Sequence, residues 1–142
     1  MSAVYVCRFR LCRYRYTGNH VFLDAAVRTA EFYVNASGAD QVPLWDFDAV
    51  APQAFKDTSS AAITASALLE LARATGDAHW HAVAQRILYS LGTEQGLFAP
   101  PGSVAEAVLI ANEHDCGYAA CTVIETDYYL FEALRRLEGK FP

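Results

Sequence analysis

Apolar positions recur at the three- and four-residue spacing of helices over several stretches, and glycine, proline and polar clusters separate those stretches. From Asn19 to about Ala36, Val21, Phe22, Ala25, Ala26, Thr29, Ala30, Phe32 and Tyr33 fall on one stripe, with Asp24, Arg28 and Glu31 between them. Ser37-Gly38 is expected to end that helix, with Gly38 in the left-handed position after it. A second helix is predicted from about Thr58 to Ala74, and its small residues on several sides suit an interior layer. Gly76 closes it, and Asp77 caps a third helix to about Leu91 with Trp80, Val83, Ala84, Ile87, Leu88 and Leu91 as its apolar stripe. Gly92 and Gly96 punctuate its end, and a last helix covers Tyr128 to Gly139. The opening residues are ambiguous. Arg8 to Tyr16 partly alternates like a strand, but Thr17-Gly18-Asn19 reads as a helix end followed by a cap, which predicts helix before it.

These elements repeat. Arg15-Tyr16-Thr17-Gly18-Asn19 and Arg73-Ala74-Thr75-Gly76-Asp77 share the pattern Arg-x-Thr-Gly-(Asn/Asp) at an offset of 58 residues (15 to 73). Phe22 and Trp80 stand at the same place after each turn, and so do Ala26 and Ala84. The C-terminal helix, Tyr128 to Gly139, looks like the first half of a third unit, with Arg136 63 residues beyond Arg73 (73 to 136). Each unit is an αα-hairpin. Hairpins at this period belong to solenoids or closed α/α toroids, and about two and a half of them cannot close a ring.

Two connections are longer than a turn needs. Val42 to Lys56 holds Pro43, Trp45, Asp46, Asp48 and Pro52, and the prolines exclude a continuous helix. It leads into Asp57, Thr58 and Ser59, any of which can cap the helix that follows. Trp45 either stacks on a ligand or plugs the loop, and Asp46, Asp48 and Asp57 could in principle share a proton if buried together. Gly96 to Thr126 is mostly loop, with Glu113, His114, Asp115, Glu125 and Asp127 in it or at its edge. Loops of that length are often functional.

Composition narrows the classes. A net charge of −5 and a pI near 5.2 argue against a nucleic-acid partner. No apolar run is long enough for a membrane span, and Arg8, Arg10, Arg13 and Arg15 interrupt any signal-peptide core, so a cytoplasmic location is expected. Four cysteines are too few for a disulfide framework. Cys116 and Cys121 could be free thiols, a local disulfide or half a zinc site, but no histidine completes a ligand spacing with them.

Three segments together carry a family resemblance. Trp45-Asp46-Phe47-Asp48, Lys56-Asp57-Thr58-Ser59 and Asp127-Tyr128-Tyr129-Leu130-Phe131-Glu132-Ala133-Leu134 resemble the C-terminal half of the unsaturated glucuronyl hydrolases, glycoside hydrolase family 88. Arg15 to Asn19 with Phe22 to Ala26 fits the same family, and the match covers about residues 14–137. The related unsaturated rhamnogalacturonyl hydrolases fit the Trp-Asp-Phe and Lys-Asp-Thr-Ser pair less well. The resemblance implies an all-α fold, part of an (α/α)6 toroid, with residues 1–142 as one incomplete domain. It implies no cofactor or metal. The partner it implies is an oligosaccharide ending in a uronic acid with a C4=C5 double bond. Trp45, Asp46, Asp57, Ser59, His114 and Tyr128 are the substrate-lining residues it suggests, His114 from its place in the long loop.

The departures matter as much. The family's catalytic aspartates lie in an N-terminal half that these residues do not contain, so no catalytic residue is assigned. Where the family carries Arg-Gly-Gln-Ala-Trp, this chain has Val4 to Leu11 without glycine, glutamine or tryptophan. A truncated or misassembled gene product with a foreign segment over residues 1–13 is expected to explain both, and to be inactive alone. The competing class is a helical-hairpin repeat module that binds a partner on a concave surface.

Overall fold

The structure is a computed structural model that describes residues 3–48, 50, 56–93, 97–99, 108–109 and 124–141, with side chains from residue 7 onward. Five helices follow in order: α1 Ala3–Thr17, α2 His20–Ala36, α3 Thr58–Thr75, α4 Ala78–Thr93 and α5 Ile124–Leu137. The ambiguous opening is helical throughout α1, so the helix-end signal at Thr17-Gly18 outweighs the partial alternation. His114, Cys116 and Cys121 lie outside the described residues, as does most of the Gly96–Thr126 segment.

α1 pairs with α2 and α3 with α4, each across a short glycine turn. The two turns match bond for bond. Gly18 and Gly76 have φ of +64° and +73° and donate to Tyr14 O (2.7 Å) and Ala72 O (2.8 Å). The Thr17 and Thr75 hydroxyls donate to the carbonyls of Arg13 and Leu71 and accept the N–H of Asn19 and Asp77. Asn19 and Asp77 then accept from Val21 and His79, starting the next helix. Gly139, at φ +70°, also turns the chain after α5 but with other bonds, its N–H donating to Arg136 O at 3.0 Å and that of Lys140 to Arg135 O at 2.8 Å. A Cβ at Gly76 would meet nothing within 4 Å, so its cost is conformational alone. Gly76→Ala is therefore expected to destabilise by about 1–2 kcal/mol, measurable by urea unfolding.

α3 is the hub, packing against all four other helices, and every residue from Ser60 to Leu71 is buried. Its alanines and serines permit close approach on several sides, as the composition predicted. Arg8 and Arg15 of α1 meet Ser66 and Glu70 of α3, which in turn meet Glu132 and Arg136 of α5. Contacts that advance together along all three helices make α1, α3 and α5 parallel neighbours, with α2 and α4 outside them.

Those contacts centre on buried charge. Arg8 grips Glu132 with both guanidinium nitrogens, at 2.6 and 3.0 Å. Ser66 Oγ donates to the same carboxylate at 2.8 Å, and Arg136 pairs with it from one turn further along α5. Arg136 also reaches Glu70 at 3.0 Å, while the Arg15–Glu70 pair is looser at 3.7 Å. The side chains of Glu132 and Arg136 are only 1% and 5% exposed.

Three expectations need correction. On α2 the buried stripe is Leu23, Ala26, Ala30 and Tyr33, whereas Val21 and Phe32 are exposed. An outer helix leaning mainly on one neighbour buries a narrow stripe, so the flanks of the apolar pattern stay out. Gly38 is not left-handed either: Ser37 ends α2 in extended backbone, and the positive φ falls at Gln41 (60°). Tyr33 Oη donates to Gln41 O at 3.0 Å and the Gln41 amide donates to Gly38 O at 2.8 Å, which holds the strained residue in place. Gly92 likewise lies within α4 rather than ending it.

Candidate functional site

Parallel inner helices place all the glycine turns at one end and the long connections at the other, where α3 and α5 begin. The 43–57 loop is pinched at its neck. Leu44 and Lys56 form an antiparallel bridge, Asp57 N–H donates to Pro43 O at 2.8 Å, and Lys56 pairs with Asp40. Phe47 folds back edge-on against Phe32 and Tyr33, with ring centroids at 5.6 and 6.2 Å. Phe47 is thus the loop's plug. Trp45 is 42% exposed.

The acids of this loop act separately. Asp46 accepts the N–H of Asp48 at 3.0 Å and so shapes the turn. Asp57 caps α3, accepting Ser60 N–H at 2.9 Å and the hydroxyls of Ser59 and Ser60 at 2.5 Å each. Lys-Asp-Thr-Ser-Ser is therefore a helix-start signature whose cap, Asp57, and first serine, Ser59, are in direct contact. Asp46 and Asp48 are both exposed, so the buried carboxylate pair that the sequence allowed does not form between them.

The start of α5 supplies the second half of the face. Asp127 accepts Val108 N–H at 2.8 Å and Leu109 N–H at 3.0 Å, one on each oxygen, and clamps a bridge between Phe98 and Leu109. Tyr128 is 55% exposed and edge-on to Tyr129, whose ring lies 4.9 Å from the Arg8 guanidinium. Trp45, Asp46, Asp57, Ser59 and Tyr128 thus share one end of the bundle, and His114 lies outside the described residues. A recess of about 430 Å³ lined by Arg73, Asp77, His81 and Arg136 sits at the opposite, glycine-turn end.

Sequence reasoning missed the ionic centre. Its signal was Glu70, a carboxylate inside the apolar run Leu68-Leu69-Glu70-Leu71. Cys7 and Cys12 are free, and burial pushes the Cys7 thiol up to about 12. Among the described residues no three His, Cys, Asp or Glu side chains form a metal-binding group. None of the described helices is long and apolar enough to cross a membrane.

No protein-family model matches the chain. An unsaturated glucuronyl hydrolase from Formosa agariphila is 34% identical over 134 residues, covering 89% of this chain and 33% of that protein. The crystal structure of an unsaturated glucuronyl hydrolase specific for heparin superposes with a TM-score of 0.85 at 30% identity, covering 96% of this chain and 38% of that one. The chain is similar to one part of the unsaturated glucuronyl hydrolases.

The chain spans about a third of the length of its glucuronyl hydrolase relatives. The five helices among its described residues match part of a six-hairpin toroid, as the resemblance implied. A further solved structure, a UGL variant with the oligosaccharide dGlcA-Glc-Rha-Glc, has a TM-score of 0.83 and 28% identity, over 96% of this chain and 38% of that one.

Proposed function

We propose that these 142 residues, read as a single incomplete toroid domain with a divergent segment over 1–13, form the substrate-lining part of an unsaturated glucuronyl hydrolase. The reaction is hydration of the C4=C5 bond in the terminal uronic acid of a lyase-generated oligosaccharide. An aspartic acid protonates the vinyl ether, water adds at C5, and the resulting hemiketal collapses to release the sugar. The observation that carries the reading is the exposed Trp45 on a loop braced by the Asp57 cap, in a chain 34% identical to such an enzyme. Trp45 offers a stacking surface to a sugar face. Asp46, Asp57, Ser59, Tyr128 and His114 line the remainder. Asp46 and Asp57 are occupied as backbone acceptors, so the proton donor is expected from hairpins outside these residues.

The 142-residue chain alone should give no turnover of an unsaturated disaccharide, followed as loss of vinyl-ether absorbance. Turnover would assign the acid to Asp46, Asp48 or Asp57. Grafted in place of the matching third of the Formosa agariphila relative, the same residues should support activity. Trp45→Ala in that chimera should lower kcat/KM about tenfold while leaving its unfolding midpoint unchanged. A folded but inactive chimera would rule the function out.

A further inference from the structure

Among the described residues one that is not glycine has a left-handed backbone: Gln41, at φ 60° and buried. That conformation is costly for a residue with a Cβ, and it persists only where neighbours hold it. Gln41 N–H and Nε2 both donate to Gly38 O, at 2.9 and 2.8 Å. Nε2 also reaches Val34 O at 3.4 Å, one of the carbonyls that the end of α2 leaves open. Tyr33 Oη donates to Gln41 O at 3.0 Å. Burial pushes the Tyr33 hydroxyl well above its ordinary 10, so it keeps the proton it donates.

Tyr33 meets the same loop a second time. Its ring lies edge-on to Phe47, with centroids at 6.2 Å. The hydroxyl and the ring of one buried side chain thus hold residues 41 and 47, and Trp45 stands between them. From the turn at Gln41 the chain enters the core with Val42 and then lays Leu44 against Lys56, directly before Trp45. A relaxed backbone at Gln41 must shift Trp45 or break one of these contacts. We propose that Tyr33 and Gln41 are positioning residues that fix the Trp45 ring for stacking on the sugar without touching the sugar themselves. The inference rests on the substrate-lining role proposed for Trp45 above. It explains why a strained glutamine stands where glycine would sit at ease: its amide ties the loop to the end of α2.

Trp45 and Trp80 are the two tryptophans, so in a Trp80→Phe background the fluorescence of the 142-residue chain reports Trp45 alone. Its time-resolved anisotropy should show the indole turning with the whole chain. Tyr33→Phe keeps the ring and loses the hydroxyl, and Gln41→Val cannot rest in a left-handed backbone. Each should add a nanosecond component of local motion, whereas Gln41→Gly, at ease in that backbone, should not. A rigid indole in folded Tyr33→Phe overturns the proposal, and that variant decides even where Gln41→Val fails to fold. In the chimera with the Formosa agariphila relative, Tyr33→Phe should raise KM by no more than the about tenfold loss given to Trp45→Ala, with kcat little changed. In the Trp45→Ala background it should add nothing, because it acts through that ring. Additive losses, or an unchanged KM beside a full Trp45→Ala loss, overturn the positioning role alone. A Trp45→Ala chimera with intact kcat/KM instead overturns the sugar-facing role of Trp45, and this inference with it.

Discussion

Replacing Glu132 with alanine should cost the folded chain about 3–5 kcal/mol, because it strips Arg8 of its counter-charge and takes one of two carboxylates from Arg136 at the centre of three helices. The carboxylate is 1% exposed and takes hydrogen bonds from Arg8 and Ser66 as well as the pair with Arg136. Water cannot replace these partners without opening the α1–α3–α5 packing. Against a typical stability of about 5–15 kcal/mol, the loss brings the chain close to its unfolding threshold. Urea unfolding measures it, and a loss under about 1 kcal/mol would contradict a central role for the pair. Replacing Glu132 and Arg8 together with methionines should cost less than Glu132→Ala, since Arg136 keeps its pair with Glu70 and no unpaired arginine is left at Arg8.

The same group governs the acid limb. Burial pushes the Glu132 carboxyl up, but the hydrogen bonds from Arg8 and Ser66 and the charges of Arg136 and Arg8 outweigh it and hold the group below its ordinary 4.5. A carboxyl depressed on folding contributes stability that is fully present above about pH 4.5 and is lost as pH falls through the lower folded value. Stability should therefore decline below about pH 4.5, and Glu132→Gln should flatten that decline. An equally steep decline in Glu132→Gln would place the acid sensitivity elsewhere.

Asp57→Ala is the second large effect expected, about 1–2 kcal/mol from loss of the α3 cap. Its carboxylate also organises the Ser59 and Ser60 hydroxyls, and its backbone N–H closes the loop on Pro43. The substitution leaves that backbone bond possible but takes the Asp57 acceptor from both serines. Asp57→Asn should retain most of the stability, because asparagine caps about as well as aspartate. Thermal unfolding of the pair decides the matter: equal losses would show that charge, rather than capping, is what the position supplies.

How much of this was legible in the sequence follows from the range of each interaction. The hairpin turns were readable because Thr-Gly-(Asn/Asp) specifies its own hydrogen bonds within a few residues, and both copies form the same set. The burial of α3 was readable because only small residues tolerate neighbours on several sides, and the Asp57 cap because capping is local. Motif order across three segments then pointed to the family. Tertiary structure alone decided that Phe47 packs against Phe32 and Tyr33, since no local spacing shows which aromatic of the 43–57 loop folds back onto α2. It also decided that Asp127 clamps Val108 and Leu109, and that Glu132 joins residues on three helices. Those contacts link positions far apart in the chain, and no local spacing encodes which charge a buried carboxylate will meet.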